Sequence, residues 1–288
     1  MGANAKTGCL YVVATPIGNL EDITLRALRT LRECDLIACE DTRHTQKLLN
    51  HHEIRKRVLS YHEHNEQKRA AELLTLLEGG AQIALVSDAG TPGISDPGQR
   101  IVALCRERGI HVVPLPGPSA VVAALAASGM EGQNFLFAGF LPARTGERRQ
   151  ALAALEDFAY PIIFYEAPHR LVESLGDVRE VLGNRKAFVA RELTKVHEEL
   201  ASGSLEELIA HFAAGEPRGE ITMIISPEFA EGAAANEAAR ASLLERVEEL
   251  VRERDWDEKA ALKHAAREMG IHKREAYKRL LAEKQQRQ

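Results

Sequence analysis

Residues 82–98 read QIALVSDAGTPGISDPG. Ile83 to Val86 run without a polar break, the pattern of a strand buried on both faces. Twelve residues follow, Ser87 to Gly98, rich in glycine, proline and small polar side chains. A strand covered on both sides implies a parallel sheet flanked by helices, and open sheets of that kind bind ligands at the carboxyl ends of their strands. The stretch therefore predicts an α/β protein with its binding loop at Ser87–Gly98.

The same alternation extends outward in both directions. Strand-like runs at Leu10–Thr15, Leu36–Glu40, Arg57–His62 and His111–Pro116 are separated by helical periods at Leu25–Glu33, Thr42–Asn50, Glu66–Leu77 and Gly98–Arg108. After Ser119–Ser128 (helix) the texture changes. Phe135–Phe140, Ile162–Glu166, Ala187–Leu193, Glu198–Ser204 and Glu220–Ser226 read as strands, and Glu147–Asp157, Leu171–Leu182 and Leu205–Ala213 as helices. The short link between Ala187–Leu193 and Glu198–Ser204 predicts a hairpin, hence a mixed second sheet. Glu228–Ala239 reads as a linker, and three helical periods follow at Ser242–Arg254, Lys259–Met269 and Lys273–Leu281. The expected division is an N-terminal α/β lobe (1–117), a second α/β lobe (118–227), a linker (228–239) and a basic, helix-turn-helix-like domain (240–288).

Composition narrows the class. Apolar residues make up 45% of the 288, and charged residues 27%, as in ordinary globular proteins. No apolar run approaches a membrane span, and 1–8 holds no apolar signal core, so neither membrane insertion nor secretion is expected. The four cysteines show no metal-ligand spacing and read as free buried thiols of a reducing cytoplasm; no metal site is expected. The net charge of −5 conceals a division: Lys259–Gln288 carries nine basic residues against three acidic, +6, so the rest carries −11. A segregated basic tail suits phosphate contacts, and a merely solvated helix face is the competing reading.

Chemistry-bearing residues gather at four predicted loops: Thr15–Leu20, Ser87–Gly98, Pro114–Ala120 and Tyr165–Arg170. None is a phosphate-binding P-loop or a GxGxxG fingerprint. Polar clusters stand beside them, EDTRH at 40–44 and YHEHNE at 61–66. Asp41 or Thr42 could simply cap a helix, and Arg43 or Arg170 could form structural ion pairs with Glu40 or Glu166.

Together VATPIGNLEDIT (13–24), EDTR (40–43), SYHEHNE (60–66), SDAGTPGISDPG (87–98), PLPGPSA (114–120), FYEAPHR (164–170) and GEITMII (219–225) resemble the tetrapyrrole methylase superfamily. Within it, EDTR, SYHEHNE, FYEAPHR and the basic tail are similar to the branch that methylates the ribose 2′-oxygen of a cytidine in 16S ribosomal RNA. The resemblance implies two α/β lobes, S-adenosylmethionine in the cleft between them, a homodimer, and the small ribosomal subunit as partner in the cytoplasm. It implies cofactor contacts from Pro16, Asp88, Gly90, Thr91, Ile94, Ser119, Ala120, Tyr165, Ala167 and Thr222. Catalytic candidates are Glu40, Arg43, His62, Glu63 and Lys195, with the proton acceptor left open among Glu40, His62, Glu63 and Lys195. Substrate contacts are expected from Asp41, Asn65, Arg170, Lys273 and Arg274. A tetrapyrrole C-methylase and a non-enzymatic RNA-binding module are the rival readings.

Overall fold

The computed structural model describes residues 8–130, 132–230, 242–254, 256–269 and 273–286. Five strands, β1 (Cys9–Val13), β2 (Leu36–Cys39), β3 (Val58–Ser60), β4 (Gln82–Val86) and β5 (His111–Leu115), form one sheet in the order β3-β2-β4-β1-β5. Every pairing in it is parallel. Side chains alternate between two cores, as a two-sided sheet requires. Leu36, Ala38, Ile83 and Leu85 pack on one face; Ile37, Cys39, Ala84 and Val86 pack on the other. Helices α1 (Leu25–Glu33), α2 (Thr42–His51), α3 (Glu66–Glu78) and α4 (Gln99–Glu107) make the crossovers that parallel strands need. Thr24 caps α1 by accepting from Ala27 N–H at 3.1 Å, and Asp41 caps α2 by accepting from Arg43 N–H at 2.8 Å. All four cysteines are free and buried, and burial pushes the Cys105 thiol up to about 11.

The second sheet has the order β6-β7-β10-β8-β9, from β6 (Leu136–Phe140), β7 (Ile162–Glu166), β8 (Arg185–Arg191), β9 (Glu199–Ser204) and β10 (Ile221–Phe229). Only β6 and β7 run parallel; β8 and β9 form the expected antiparallel hairpin. Its core joins Phe164, Val189, Met223 and Ile225 to Leu171, Leu175 and Val178 of α7 (Leu171–Leu182) and Leu205, Leu208 and Phe212 of α8 (Leu205–Ala213). Helix α5 (Ala120–Ser128) precedes this sheet and α6 (Thr145–Ala153) crosses from β6 to β7. Three further helices, α9 (Leu243–Arg254), α10 (Glu258–Glu268) and α11 (Lys273–Gln286), share a separate small core of Leu243, Val247, Leu250, Ala265 and Leu280.

By contacts the chain divides into Met1–Ala123 with Leu193–Val196, and Ala124–Glu192 with His197–Gln288. The tip of the β8–β9 connection thus belongs with the first sheet, and the C-terminal helices belong with the second.

The second unit buries a charge network. Arg148 is fully buried, and its guanidinium meets Asp177 at 2.5 Å and Glu173 at 2.5 Å, with the Pro142 and Ala143 carbonyls also accepting from it. A buried ion pair is weak evidence of net stability, but breaking one leaves an uncompensated charge. Asp177→Ala is therefore expected to lower unfolding free energy by about 3–5 kcal/mol, whereas replacing the half-exposed Glu173 should cost much less; urea denaturation of both variants checks this.

Candidate active site

The loops leaving β1 and β4 are joined past the end of the sheet. Thr15 N–H donates to the Gly90 carbonyl at 2.8 Å, and Gly90 N–H donates to the Thr15 carbonyl at 3.0 Å. Thr15 Oγ1 donates to the Ser87 carbonyl at 3.0 Å, and Ser87 Oγ donates to Gly90 at 3.1 Å. Pro16, next in line, is buried. The loop after β5 approaches as closely as backbone allows: a Cβ on Gly117 would lie 2.7 Å from Ala14 Cβ. Ser119 and Ala120 open α5 there, with Ala123 N–H donating to the Ser119 carbonyl at 2.9 Å.

The loops after β2 and β4 are tied by one side chain. Asp88 Oδ1 accepts from Asp41 N–H at 3.1 Å. Thr91 turns the chain by accepting from Ile94 N–H at 3.3 Å, which leaves Ile94 half exposed. Beside them lies an open pocket of about 530 Å³ whose walls include Glu40, Glu63, Glu66, Asp96 and Arg100. Glu66 is held by Tyr61 Oη donating at 3.0 Å, by Gly98 N–H donating at 3.4 Å and by Arg100 at 3.7 Å. The sequence reading missed Glu66 and Asp96, because each sits where an ordinary helix-capping or turn acid would.

Electrostatics distinguish the acids. Burial raises the Glu40 carboxyl pKa, and the like charges of Asp88, Asp41 and Glu63 raise it further, while His62 opposes them. Asp41 goes the other way, pulled down to about 2 by hydrogen bonds from the Arg43 side chain and backbone. Arg43 grips Asp41 through Nε at 3.2 Å and Nη2 at 2.9 Å but is otherwise exposed.

Lys195 is brought to the first loop from far along the chain. A Cβ on Gly18 would lie 2.4 Å from Lys195 Cγ and 2.8 Å from Thr194 Oγ1, so only glycine lets this segment seat. Asn19 N–H donates to Thr194 Oγ1 at 3.1 Å. Thr194 has φ of 67°, a costly conformation for a β-branched residue and a mark of a functionally constrained position.

In the second unit, Tyr165 and Thr222 are direct cross-strand partners in the β7–β10 register. Tyr165 packs against Phe137 and Phe140 with ring centroids 4.9 and 5.5 Å away. Ala167 N–H donates to Glu166 at 2.7 Å. Arg170 is drawn inward, pairing with the buried Glu166 at 2.5 Å, while Ser174 Oγ donates to the same carboxylate at 2.5 Å. The FYEAPHR stretch thus assembles a structural ion pair around Glu166. The side chains of Lys273 and Arg274 lie outside the described residues. Among the described residues no group of three or more His, Cys, Asp or Glu is placed to hold a metal ion.

The residues present fit a small organic cation. Loops of Gly, Pro, Ala and Thr offer backbone groups as contacts, Gly117 lets the β5 loop close on Ala14 beside them, and the acids around Glu40 favour positive charge. Together the parallel sheet, its backbone-lined carboxyl edge and the mixed sheet that follows define a class: a two-sheet α/β enzyme that holds its ligand without a phosphate loop. Residues 9–209 match the family model described as Tetrapyrrole (Corrin/Porphyrin) Methylases, and the chain belongs to that family. A ribosomal RNA small subunit methyltransferase I from Mesorhizobium japonicum is 48% identical over 274 residues, covering 94% of this chain and 91% of that protein. The Thermotoga maritima protein of the same name is 51% identical over 219 residues, covering 76% of this chain and 98% of its own. A uroporphyrin-III C-methyltransferase structure from Thermus thermophilus shares the fold with a TM-score of 0.55 at 20% identity, over 76% of this chain and 94% of that one. A diphthine synthase shares it with a TM-score of 0.59 at 13% identity, over 77% and 91%.

The raised Glu40 has a thermodynamic sign. A carboxyl whose folded pKa exceeds its unfolded value costs stability once pH rises through the folded pKa, and costs nothing below the unfolded one, near 4.5. Glu40→Gln is expected to raise Tm at pH 7.5 and to leave it unchanged at pH 4. Differential scanning fluorimetry across that range is the measurement, and an equal shift at both pH values would contradict it.

Proposed function

We propose that this chain transfers a methyl group from S-adenosylmethionine to the ribose 2′-oxygen of a cytidine in 16S ribosomal RNA. The observation that carries this reading is 48% identity, across nearly the whole chain, to a protein named for methylating small-subunit ribosomal RNA. The solved tetrapyrrole methylases lie at 20% identity or below and speak for the fold alone. The reading places the protein in the cytoplasm as a homodimer with the small ribosomal subunit as partner; no described helix is long and apolar enough to cross a membrane.

Bound, the cofactor supplies an electrophilic methyl on a positively charged sulfur. Pro16, Asp88, Gly90, Thr91, Ile94, Ser119 and Ala120 on the first sheet's loops, with Tyr165, Ala167 and Thr222 on the second sheet, are the residues assigned to hold it. Asp88 fixes the long loop to the β2 end through Asp41 N–H. Positioning is the larger part of the task, worth roughly 7–11 kcal/mol in a well-aligned transfer. A ribose hydroxyl also needs a proton acceptor, worth about 10²–10⁴-fold. Glu40 suits this role, since burial and neighbouring acids make its carboxylate more basic than usual. Glu63 and Lys195 stand at the same edge, and Arg43 and Asp41 flank it as substrate contacts, whereas the Asn65 amide is spent on Ser60 and His62.

The C-terminal helices are assigned to the RNA, through Lys273, Arg274 and exposed cations such as Lys259 and Lys278. Some of the tail's charge is already paired: Lys263 meets Glu156 at 2.5 Å, Arg279 meets Glu283 at 2.8 Å and Lys284 meets Glu258 at 2.7 Å. The Thermotoga relative is matched almost whole by 76% of this chain.

Purified small subunits incubated with the enzyme and labelled cofactor should acquire one 2′-O-methylated cytidine on mapping. Label on a porphyrinogen instead, or none on ribosomal RNA, would refute the assignment. Asp88→Ala should weaken cofactor binding at least about tenfold, the equivalent of one lost hydrogen bond, by calorimetry. Removal of 242–288 takes out the small core whole and should raise KM for subunits while flattening its dependence on salt. An unchanged KM at every salt concentration would show that these helices take no part.

A further inference from the structure

Asn65 stands at the start of α3, where its side chain would ordinarily accept from first-turn amides, yet it makes no such cap. Its Oδ1 accepts instead from His62 backbone N–H at 2.9 Å. Its Nδ2 lies 3.3 Å from the Ser60 carbonyl and 2.9 Å from His62 Nε2. A backbone N–H only donates and a carbonyl only accepts, so both ends of the amide are fixed and it cannot be flipped. Nδ2 presents hydrogens alone. Nε2 of His62 is therefore the accepting nitrogen, and the neutral ring carries its proton on Nδ1.

That Nδ1 is buried and has no hydrogen-bond partner. A buried, unpaired donor is costly to maintain and calls for a partner in the working state. One candidate is offered by the sheet. Cys39 and Ser60 are opposite each other in the β2–β3 register, so Glu40 and His62 leave adjacent strands at the same edge. The charged groups that act on Glu40 are Asp88 from the β4 loop, Asp41 at the start of α2, and His62 and Glu63 from the β3 loop.

We propose that His62 serves the methyl-transfer site as a fixed Nδ1–H donor to the Glu40 carboxylate, with Asn65 as the positioning residue that locks its tautomer, and not as the proton acceptor. With Nε2 occupied by Asn65 and Nδ1 already protonated, the ring has no free lone pair for a ribose proton. The catalytic half of this inference rests on the methyltransferase reading above; the tautomer does not.

The first test needs no variant. Long-range ¹H–¹⁵N correlation spectra of the full-length protein should show His62 as the Nδ1–H tautomer, and an Nε2–H tautomer overturns the proposal even if subunits are methylated. Conversely, an enzyme inactive on subunits but with the Nδ1–H tautomer sinks the methyltransferase reading and leaves the lock standing. Asn65→Asp offers an acceptor to Nε2 and should move the proton there, with kcat/KM falling about 100-fold, the scale of one lost oriented donor. His62→Asn places an amide N–H where Nδ1–H was and should keep at least about a tenth of the activity, whereas His62→Gln, reaching the Nε2 position, should lose about 100-fold. The acid limb of the kcat/KM–pH profile should survive in His62→Asn. Its disappearance, or equal inactivity of the Asn and Gln variants with native spectra elsewhere, would show His62 to be the base.

Discussion

The reciprocal pair of hydrogen bonds between Thr15 and Gly90 is the constraint on which the site depends. Strands β1 and β4 run parallel, yet beyond their ends the two chains meet as an antiparallel bridge, so both must turn sharply at that point. The turn begins the twelve-residue loop and stiffens it from below, with Thr15 and Ser87 hydroxyls satisfying the carbonyls that the turn buries. Each further loop is referenced to this pair: Gly117 packs against Ala14, and Asp88 holds Asp41. Loosening the bridge would free the twelve-residue loop and both neighbours together.

Much of this was legible in the sequence, and the parts that were not have a common cause. Strand and helix positions follow from apolar periodicity, and Leu25–Glu33, Ile162–Glu166, Leu171–Leu182 and Leu205–Ala213 match the structure residue for residue. Strands read one or two residues long at their carboxyl ends: Thr15 and Glu40 continue the pattern in composition but have left the ladder to line the site. Strand order was not legible, since β4 pairs between β2 and β1, and β10 lies at the centre of its sheet rather than closing it. Nor was the seating of Leu193–Val196 beside the first loop, because nothing local in TKV announces a partner 175 residues away at Asn19. Long-range neighbours are settled by packing, which periodicity does not encode.

The polar motifs divide by burial rather than by chemical type. In FYEAPHR, Glu166 is almost wholly buried and collects Ser174, Arg170 and Ala167 N–H, so its surroundings satisfy it inside the protein. In EDTR, Glu40 is only partly covered, and most of its charged neighbours repel it. The first arrangement fixes the end of β7. The second keeps a carboxylate in a state that an arriving cation or donor improves, which is how sites concentrate perturbed groups. Identical residue types at strand ends therefore hold different work, and only burial and partners tell them apart.

Charge sets a further requirement. The pocket at the sheet edge is lined by acids, which welcome a sulfonium but repel a phosphate chain. RNA affinity must therefore come from elsewhere on the surface. The C-terminal helices are proposed to supply part of it, though Lys263, Arg279 and Lys284 are already paired within the protein. The body of the chain also carries exposed cations, Arg43 among them. They stand close by: Arg43 and Lys47 of α2 border a shallow groove of about 430 Å³ with Thr42, Gln46 and Asn50. Arg43, gripping Asp41 with one edge and exposed on the other, sits where the acidic site gives way to that groove. On the proposed function, phosphates would keep to this groove and the ribose alone would enter among the acids, so that charge would sort the substrate along its length.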